Sequence, residues 1–338
     1  MGVARPADTS SFKDNFDPGV VATRLFSFAN PENRVSYVVT DPRGYVALAE
    51  CLADEFLVPD DDRLILGSTV HSISWGDECV CTMATKDGED KEYCAPYAIL
   101  TFSTGELLGR VITFVPELLL ATRIRLRRVE MSYFHKIFIA FNETFWDTGV
   151  EFIVYSDDIN GRDHFPMFAP WGDHLPGKPP ILQAFLTGDT ALRVAQQDLE
   201  ITKEQIAEVM RNIYGDRASD PVDIIMHDFI TNPYFLGNFG SATPGTLRDT
   251  FEELNHPIGR LHLAGEAYIY ALQRRATGAI VHGYRVGERV AELIGGPLRG
   301  MHAYNIIALS IYQINTMYDI LAMYMSLWPA LYIIHNMQ

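Results

Sequence analysis

In the stretch LHLAGEAYIY (261–270) one carboxylate, Glu266, follows directly on a run that alternates as a buried strand, and TGAIVHGYRVGERVAELIGG (277–296) then has amphipathic helical spacing. A helix starting near Gly278 directs free N–H groups and a positive dipole end outward, which suits an anionic or electron-rich ligand edge. Glycine there lets a ligand approach the backbone. A carboxylate at the preceding strand end, beside Gly265, can accept hydrogen bonds from ribose or ribitol hydroxyls, as doubly wound folds do with dinucleotides. Taken alone, such a glutamate more commonly compensates a helix dipole. A second candidate is Lys136 in SYFHKIFIAF (132–141), which shares a strand face with Phe134 and Phe138. An ammonium between two rings is desolvated and its pKa lowered, as suits a proton-handling group. The competing reading is an edge-strand lysine that blocks aggregation. Cys79 and Cys81 share a strand face at i, i+2, but no CxxC or histidine pair follows to complete a ligand set, so no metal is expected. The four cysteines read as buried or half-buried free thiols in a reducing, cytoplasmic-type compartment.

The elements that must position these residues are read from periodicity. Residues 1–35 are polar and irregular; VSYVV (35–39) reads as a strand and DPRG (41–44) as a turn. Tyr45, Leu48, Leu52 and Phe56 recur at helical spacing. Strand-like runs at 64–75, 78–85 and 97–103, separated by Gly76-Asp77 and Lys86-Asp87-Gly88, predict a β-meander. Thr202 to Gln205 has the form of a capping box, opening a helix through Ile206, Val209, Met210 and Ile213 that closes at Gly215. The predicted plan is discontinuous: residues 36–112 and 255–298 form a nucleotide-binding layer, 113–254 an inserted unit, and 299–338 an apolar tail. With 338 residues and 48% apolar content the chain can build a sizeable core, and a net charge of −16 without a basic stripe excludes nucleic acid as an expected partner.

The ordered set GYVALAECLADEFL, RLILGSTVHSISW, YAILTFSTGELL, ITFVPEL, KIFIAFNETFW, NPYFLGNFG, GRLHLAGEA and IVHGYRVG resembles the flavin-containing amine oxidases, the polyamine oxidases above all, over about residues 35–294. The resemblance implies an α/β fold with an α+β insert, the C-terminal portion of a two-domain FAD-binding amine oxidase. It also implies FAD as cofactor, a polyamine or similar amine oxidised to an imine, and O2 reduced to peroxide. By resemblance Val70 meets the adenine through its backbone, Glu266 with Gly265 and Gly278 serves the flavin side of the cofactor, and Lys136 holds a water beside the flavin. Phe239 falls where the family places one aromatic wall of its amine cage.

The family's tryptophan ahead of Asn232-Pro233 is here Phe229, and the tyrosine that forms its second cage wall is here Ile280, so one wall of the amine site is expected to be missing. No cysteine follows Cys94, so the FAD is expected to be non-covalent. Residues 1–40 contain no strand, GxGxxG and helix to cradle a pyrophosphate, which predicts a truncated or degenerate member with weakened FAD retention. The alternative function is a non-catalytic remnant serving as a binding or membrane-associated module. Residues 303–334 carry Asp319 as their only charge and are long enough to span a bilayer. A membrane anchor, an apolar helix packed on the body and translated non-coding sequence remain three readings of that tail.

Overall fold

The computed structural model describes residues 43–44, 46–156, 161, 164–295 and 306–309. The expected strand at 35–39 lies outside the described residues, as does most of the tail. Helix α1 (Val46–Ala53) leads to strands β1 (Ser68–Trp75), β2 (Val80–Lys86) and β3 (Glu89–Ala95), then β4 (Tyr97–Leu100) and helix α2 (Thr104–Gly109). After β5 (Thr113–Val115) and α3 (Leu120–Leu126) come β6 (Val129–Ser132) and β7 (Phe134–Ala140). Next are β8 (Ile153–Val154), β9 (Met167–Ala169), β10 (Ile181–Thr187), α4 (Gly188–Ala195), α5 (Leu199–Tyr214) and β11 (Asp223–Met226). The chain continues through β12 (Phe239–Ala242), α6 (Arg248–Leu254), β13 (Leu261–Leu263), the long helix α7 (Ala276–Ile294) and β14 (Ile306–Leu309).

A meander is present, with sheet order β3-β2-β1-β5, but its third strand is β3 and not the expected run at 97–103, which is β4 and belongs to a separate parallel sheet. Asp87 and Gly88 both take positive φ, 53° and 81°, the two-residue hairpin geometry whose twist matches that of the flanking strands. β3 escapes periodicity because its sequence, EDKEYCA, is mostly charged and exposed. Its pairing with β2 runs unbroken from Val80↔Ala95 to Lys86↔Glu89. The larger sheet has the order β11-β7-β10-β9-β8, so β7 is interior and the edge-strand reading of Lys136 falls. A third sheet, β13-β4-β14, is parallel throughout.

Four further expectations need correction. The stripe of α1 is buried at Val46 and Ala49, whereas Leu48 and Phe56 are exposed. α5 starts a turn before Thr202, capped by the Asp198 carboxylate, which accepts from Glu200 N at 2.8 Å; Thr202 and Gln205 instead accept from the Gln197 side chain. The reciprocal capping box belongs to α2, between Ser103 and Glu106. The thiols are not buried and free: Cys81 and Cys94 are disulfide-bonded, and Cys51 and Cys79 are exposed. Within the tail, residues 306–309 are a strand, and among the described residues no helix is long and apolar enough to cross a membrane.

Two apolar clusters carry the structure. One joins Ile73, Leu100, Phe114 and Leu126 to Phe251, Leu261 and Tyr268; the other gathers Ile137, Ile139, Phe168, Leu182, Ile206 and Met210 around the larger sheet. Because Asp198 supplies the cap of α5, Asp198→Ala should lower stability by about 0.5–2 kcal/mol in urea unfolding. An unchanged midpoint would return the helix start to Thr202.

Candidate functional site

β4 and β13 run in parallel, pairing Ala98 with Leu261 and Leu100 with Leu263, so their carboxyl ends lie side by side. In open α/β sheets ligands bind outside those ends. β4 delivers Thr101 there, and β13 delivers Ala264 and Gly265, with Ala264 N donating to Leu100 O at 2.9 Å. Gly265 has φ 137°, a conformation that side-chain-bearing residues avoid. Its N–H donates to His282 Nδ1 at 3.1 Å, which leaves the imidazole proton on Nε2, facing Asn255 Oδ1. Burial, reinforced by the positive charges of Arg285 and Arg289, pushes the His282 pKa down to about 4. The ring is therefore a neutral clamp that ties α7 to the turn carrying Glu266.

Glu266 itself opens the short 3-10 turn 266–268. Its Oε1 accepts from Gly240 N at 2.8 Å and its Oε2 from Arg274 N at 2.5 Å. Burial raises its pKa, opposed by those two amides and the Arg274 charge. A carboxylate has about four acceptor positions, so roughly two remain for a ligand. Gly240 permits this approach of β12 to the turn, since a Cβ there would lie 2.7 Å from Ala267 Cβ.

Arg274, which periodicity and motif reading missed, takes φ 66° and so brings its own N–H to Glu266. Its Nη2 donates to Ser241 Oγ at 3.2 Å, and its guanidinium lies 6.0 Å from the Phe239 ring centroid. The array continues: Phe239 lies 6.1 Å from Phe134, and Lys136 Nζ lies 5.9 Å from the Phe134 ring. Asn238 fixes this junction, accepting from Phe134 N at 2.9 Å through its side chain and donating its own N–H to Ser132 O. Burial lowers the Lys136 pKa. The structure thus links Lys136, Phe239, Gly265 and Glu266 in one contiguous series of contacts.

Val70 lies elsewhere, on β1 beside the register shift between Val70 and Ser72, and packs against the first apolar cluster. Gly278 has a different physical reason from the one expected. It is the third residue of α7, its N–H donates to Arg275 O at 2.9 Å, and a Cβ would lie 2.1 Å from Leu272 O. Glycine there lets the helix close onto the preceding turn. Phe229 stacks edge-on with Phe235 at 5.5 Å, inside the protein.

Among the buried polar atoms that have no hydrogen-bond partner among the described residues are Thr101 Oγ1, just past the end of β4, and Gln273 Oε1, whose amide nitrogen donates to Ala267 O beside Glu266. With the Glu266 carboxylate they are of the chemistry that suits a polyhydroxylated cofactor arm, which offers a donor or acceptor at each carbon.

Residues 14–291 match the family described as flavin containing amine oxidoreductase. The chain belongs to this family. It is 29% identical over 281 residues to polyamine oxidase 6 of Oryza sativa subsp. japonica, covering 80% of this chain and 55% of that protein. It is 29% identical over 240 residues to polyamine oxidase 1 of Zea mays, covering 68% of this chain and 47% of that protein. The chain thus spans about half the length of the curated relatives it matches. Among solved structures, putrescine oxidase bound to putrescine superposes with a TM-score of 0.56 at 19% identity, covering 73% of this chain and 51% of that one. Cyclohexylamine oxidase from Brevibacterium oxydans IH-35A superposes at 0.53 with 17% identity, covering 67% of this chain and 48% of that one. These likenesses show the amine oxidase fold.

The His282 clamp makes a signed prediction. Its folded pKa of about 4 lies below the unfolded value of about 6.5. The unfolded chain therefore takes up the proton first as pH falls, and the stability this group provides is full above about pH 6.5 and lost towards pH 4. His282→Gln should be less stable than wild type at pH 7.5 in urea unfolding, and the gap should narrow as pH falls through that window. A constant gap would mean that the imidazole is not a neutral clamp.

Proposed function

We propose that this chain forms the substrate side and the flavin-facing side of an FAD-dependent amine oxidase acting on a polyamine or similar amine, with imine and peroxide as products. The single observation that carries this reading is the series from Lys136 through Phe134 and Phe239 to Arg274 and Glu266. It runs from the larger sheet to the carboxyl ends of β4 and β13. Membership of the family and the names of the rice and maize relatives support it. Non-covalent FAD, when bound, supplies the two-electron redox chemistry and passes electrons to O2. Glu266, Thr101 and Gln273 would hold its ribityl arm, Glu266 and Thr101 at the strand ends.

The chain's own residues supply orientation and proton handling. Phe134 and Phe239, 6.1 Å apart, offer ring faces and exclude water from the amine. Burial makes the Lys136 ammonium easier to deprotonate than an ordinary lysine. Lys136 can therefore accept the proton an alkylammonium must lose, directly or through a water, and return it later. A net charge of −16 raises the local concentration of cationic amines. We further propose that residues 36–112 with 255–298 form the cofactor layer and 113–254 the substrate unit. The apolar cluster from Ile137 to Ile230 lies wholly within 113–254 and supports the substrate unit, whereas the cluster of Ile73 and Tyr268 crosses both bounds through Phe114, Leu126 and Phe251, so the two units share a core at their junction.

Lys136→Met, assayed with FAD supplied and an amine under anaerobic stopped flow, should slow flavin reduction or subsequent reoxidation by at least about tenfold. The wild-type rate should rise with pH through a midpoint below the ordinary lysine value of about 10.4, and the variant should lack that rise. Equal rates and equal pH profiles would reduce Lys136 to a structural residue.

A further inference from the structure

The outward face of the β2–β3 hairpin carries four donor side chains that the amine site does not use. Val80, Thr82 and Ala84 of β2 are buried, so Cys81 projects to the other face. It lies directly opposite Cys94 of β3, with the two Cα atoms 4.1 Å apart. Alternation along β3 puts Glu92 on this same face, and Cys81 Sγ, Cys94 Sγ and a Glu92 carboxylate oxygen lie within 4.8 Å of one another. From just before β2, the exposed free thiol of Cys79 reaches to 4.0 Å from Cys81 Sγ. Neighbours in the chain complete no ligand set for Cys79 and Cys81, but the strand opposite brings two further donors, Cys94 and Glu92, up to Cys81. β2 and β3 are already joined along their whole length by ladder pairing, so the hairpin does not depend on the disulfide to hold its register.

We propose that, with the Cys81–Cys94 bond reduced, Cys79, Cys81, Cys94 and Glu92 bind a zinc-class divalent cation as a three-thiolate, one-carboxylate set. The disulfide is then the closed, metal-free form of the same site. Tetrahedral Zn2+ with Zn–S bonds of about 2.3 Å places its ligand atoms roughly 3.8 Å apart. Cys81, Cys94 and Glu92 already lie within 4.8 Å of one another and Cys79 Sγ lies 4.0 Å from Cys81 Sγ, so the set forms once the two bonded sulfurs part and the exposed Cys79 side chain swings towards Cys94 and Glu92. A dithiol-class reductant supplies two electrons and two protons, the S–S bond cleaves to two thiols, and the reductant leaves as its own disulfide. The cation then displaces one proton from each of the three thiols. A disulfide-class oxidant reverses the sequence, re-forming the Cys81–Cys94 bond and releasing the metal. The site is independent of the proposed amine chemistry, and its test reads metal and not turnover.

The experiment uses the full chain, reduced with a phosphine under anaerobic conditions, freed of reductant and titrated with Co2+ as a spectroscopic stand-in for Zn2+. Reduced wild type should take up about one equivalent with the intense visible bands of tetrahedral cobalt and a thiolate-to-metal charge-transfer band, both abolished by Zn2+. Oxidised protein should show neither. Cys79→Ser should bind at least about tenfold more weakly and lose roughly one third of the charge-transfer intensity, one thiolate in three. Glu92→Gln should weaken binding with that intensity retained, and Cys51→Ser, outside the cluster, should match wild type. All these side chains except Cys81 are exposed, so circular dichroism should show unchanged folding in each variant. No stoichiometric cobalt in reduced wild type, or the same spectrum and affinity in Cys79→Ser, would overturn the proposal.

Discussion

A carboxylate taken out of water must be given hydrogen-bond donors, because an unpaired buried charge costs several kcal/mol. Glu266 receives its donors from two separate pieces of chain, the N–H of Gly240 on β12 and the N–H of Arg274 ahead of α7. That requirement fixes much of what surrounds it. Gly240 must lack a side chain so that β12 can approach Ala267, and Arg274 must adopt a positive φ so that its amide turns inward. Gly265 must adopt φ 137° so that β13 can release the chain into the turn. His282, neutral and bonded on both nitrogens, then anchors that turn to the long helix.

The same constraint explains how two apolar cores come to share one site. β12 pairs with β6, whose end at Ser132 faces Phe239, and one residue further on the chain enters β7 with Phe134 and Lys136. Fixing Gly240 against Glu266 therefore fixes Phe239 against Phe134, and through it the position of Lys136. Arg274 serves both ends: its backbone N–H donates to the carboxylate and its guanidinium faces the ring. The arrangement keeps one cation near the carboxylate and another, less readily charged, beyond the two rings.

Strand alternation marked Glu266 and Lys136 as candidates, but alone it read one as dipole compensation and allowed the other to be an edge-strand lysine, because it carries no knowledge of their partners; the ordered motif set raised both. Alternation placed β1, β2 and the strand of Lys136, but it took 97–103, which pairs in the parallel sheet, for the third strand of the meander. Arg274 was not legible, since its role comes from a backbone conformation that no side-chain periodicity encodes. β3 was hidden by charges that suit an exposed strand, and Leu48 on α1 was assigned to a buried stripe because amphipathic spacing does not say which face meets the core. Asp198 and Thr202 are both acceptable helix starts, and the apolar residues Leu199 and Ile201 that decide between them are exposed, so they leave no burial signal. The Cys81–Cys94 pair depends on cross-strand register, which spacing along one chain does not reveal.

Glu266, at the carboxyl ends of two parallel strands, is proposed to receive the polyhydroxylated arm of a flavin. Riboflavin carries that arm and the ring system without a pyrophosphate, so a fluorescence-quenching titration of the purified chain with riboflavin reads this half of the site directly. Loss of one charge-assisted hydrogen bond is worth about 1.5–3 kcal/mol. Saturable quenching by wild type, weakened at least about tenfold in Glu266→Gln, is the predicted result. No quenching by a folded wild-type chain, or the same affinity in the variant, would contradict it.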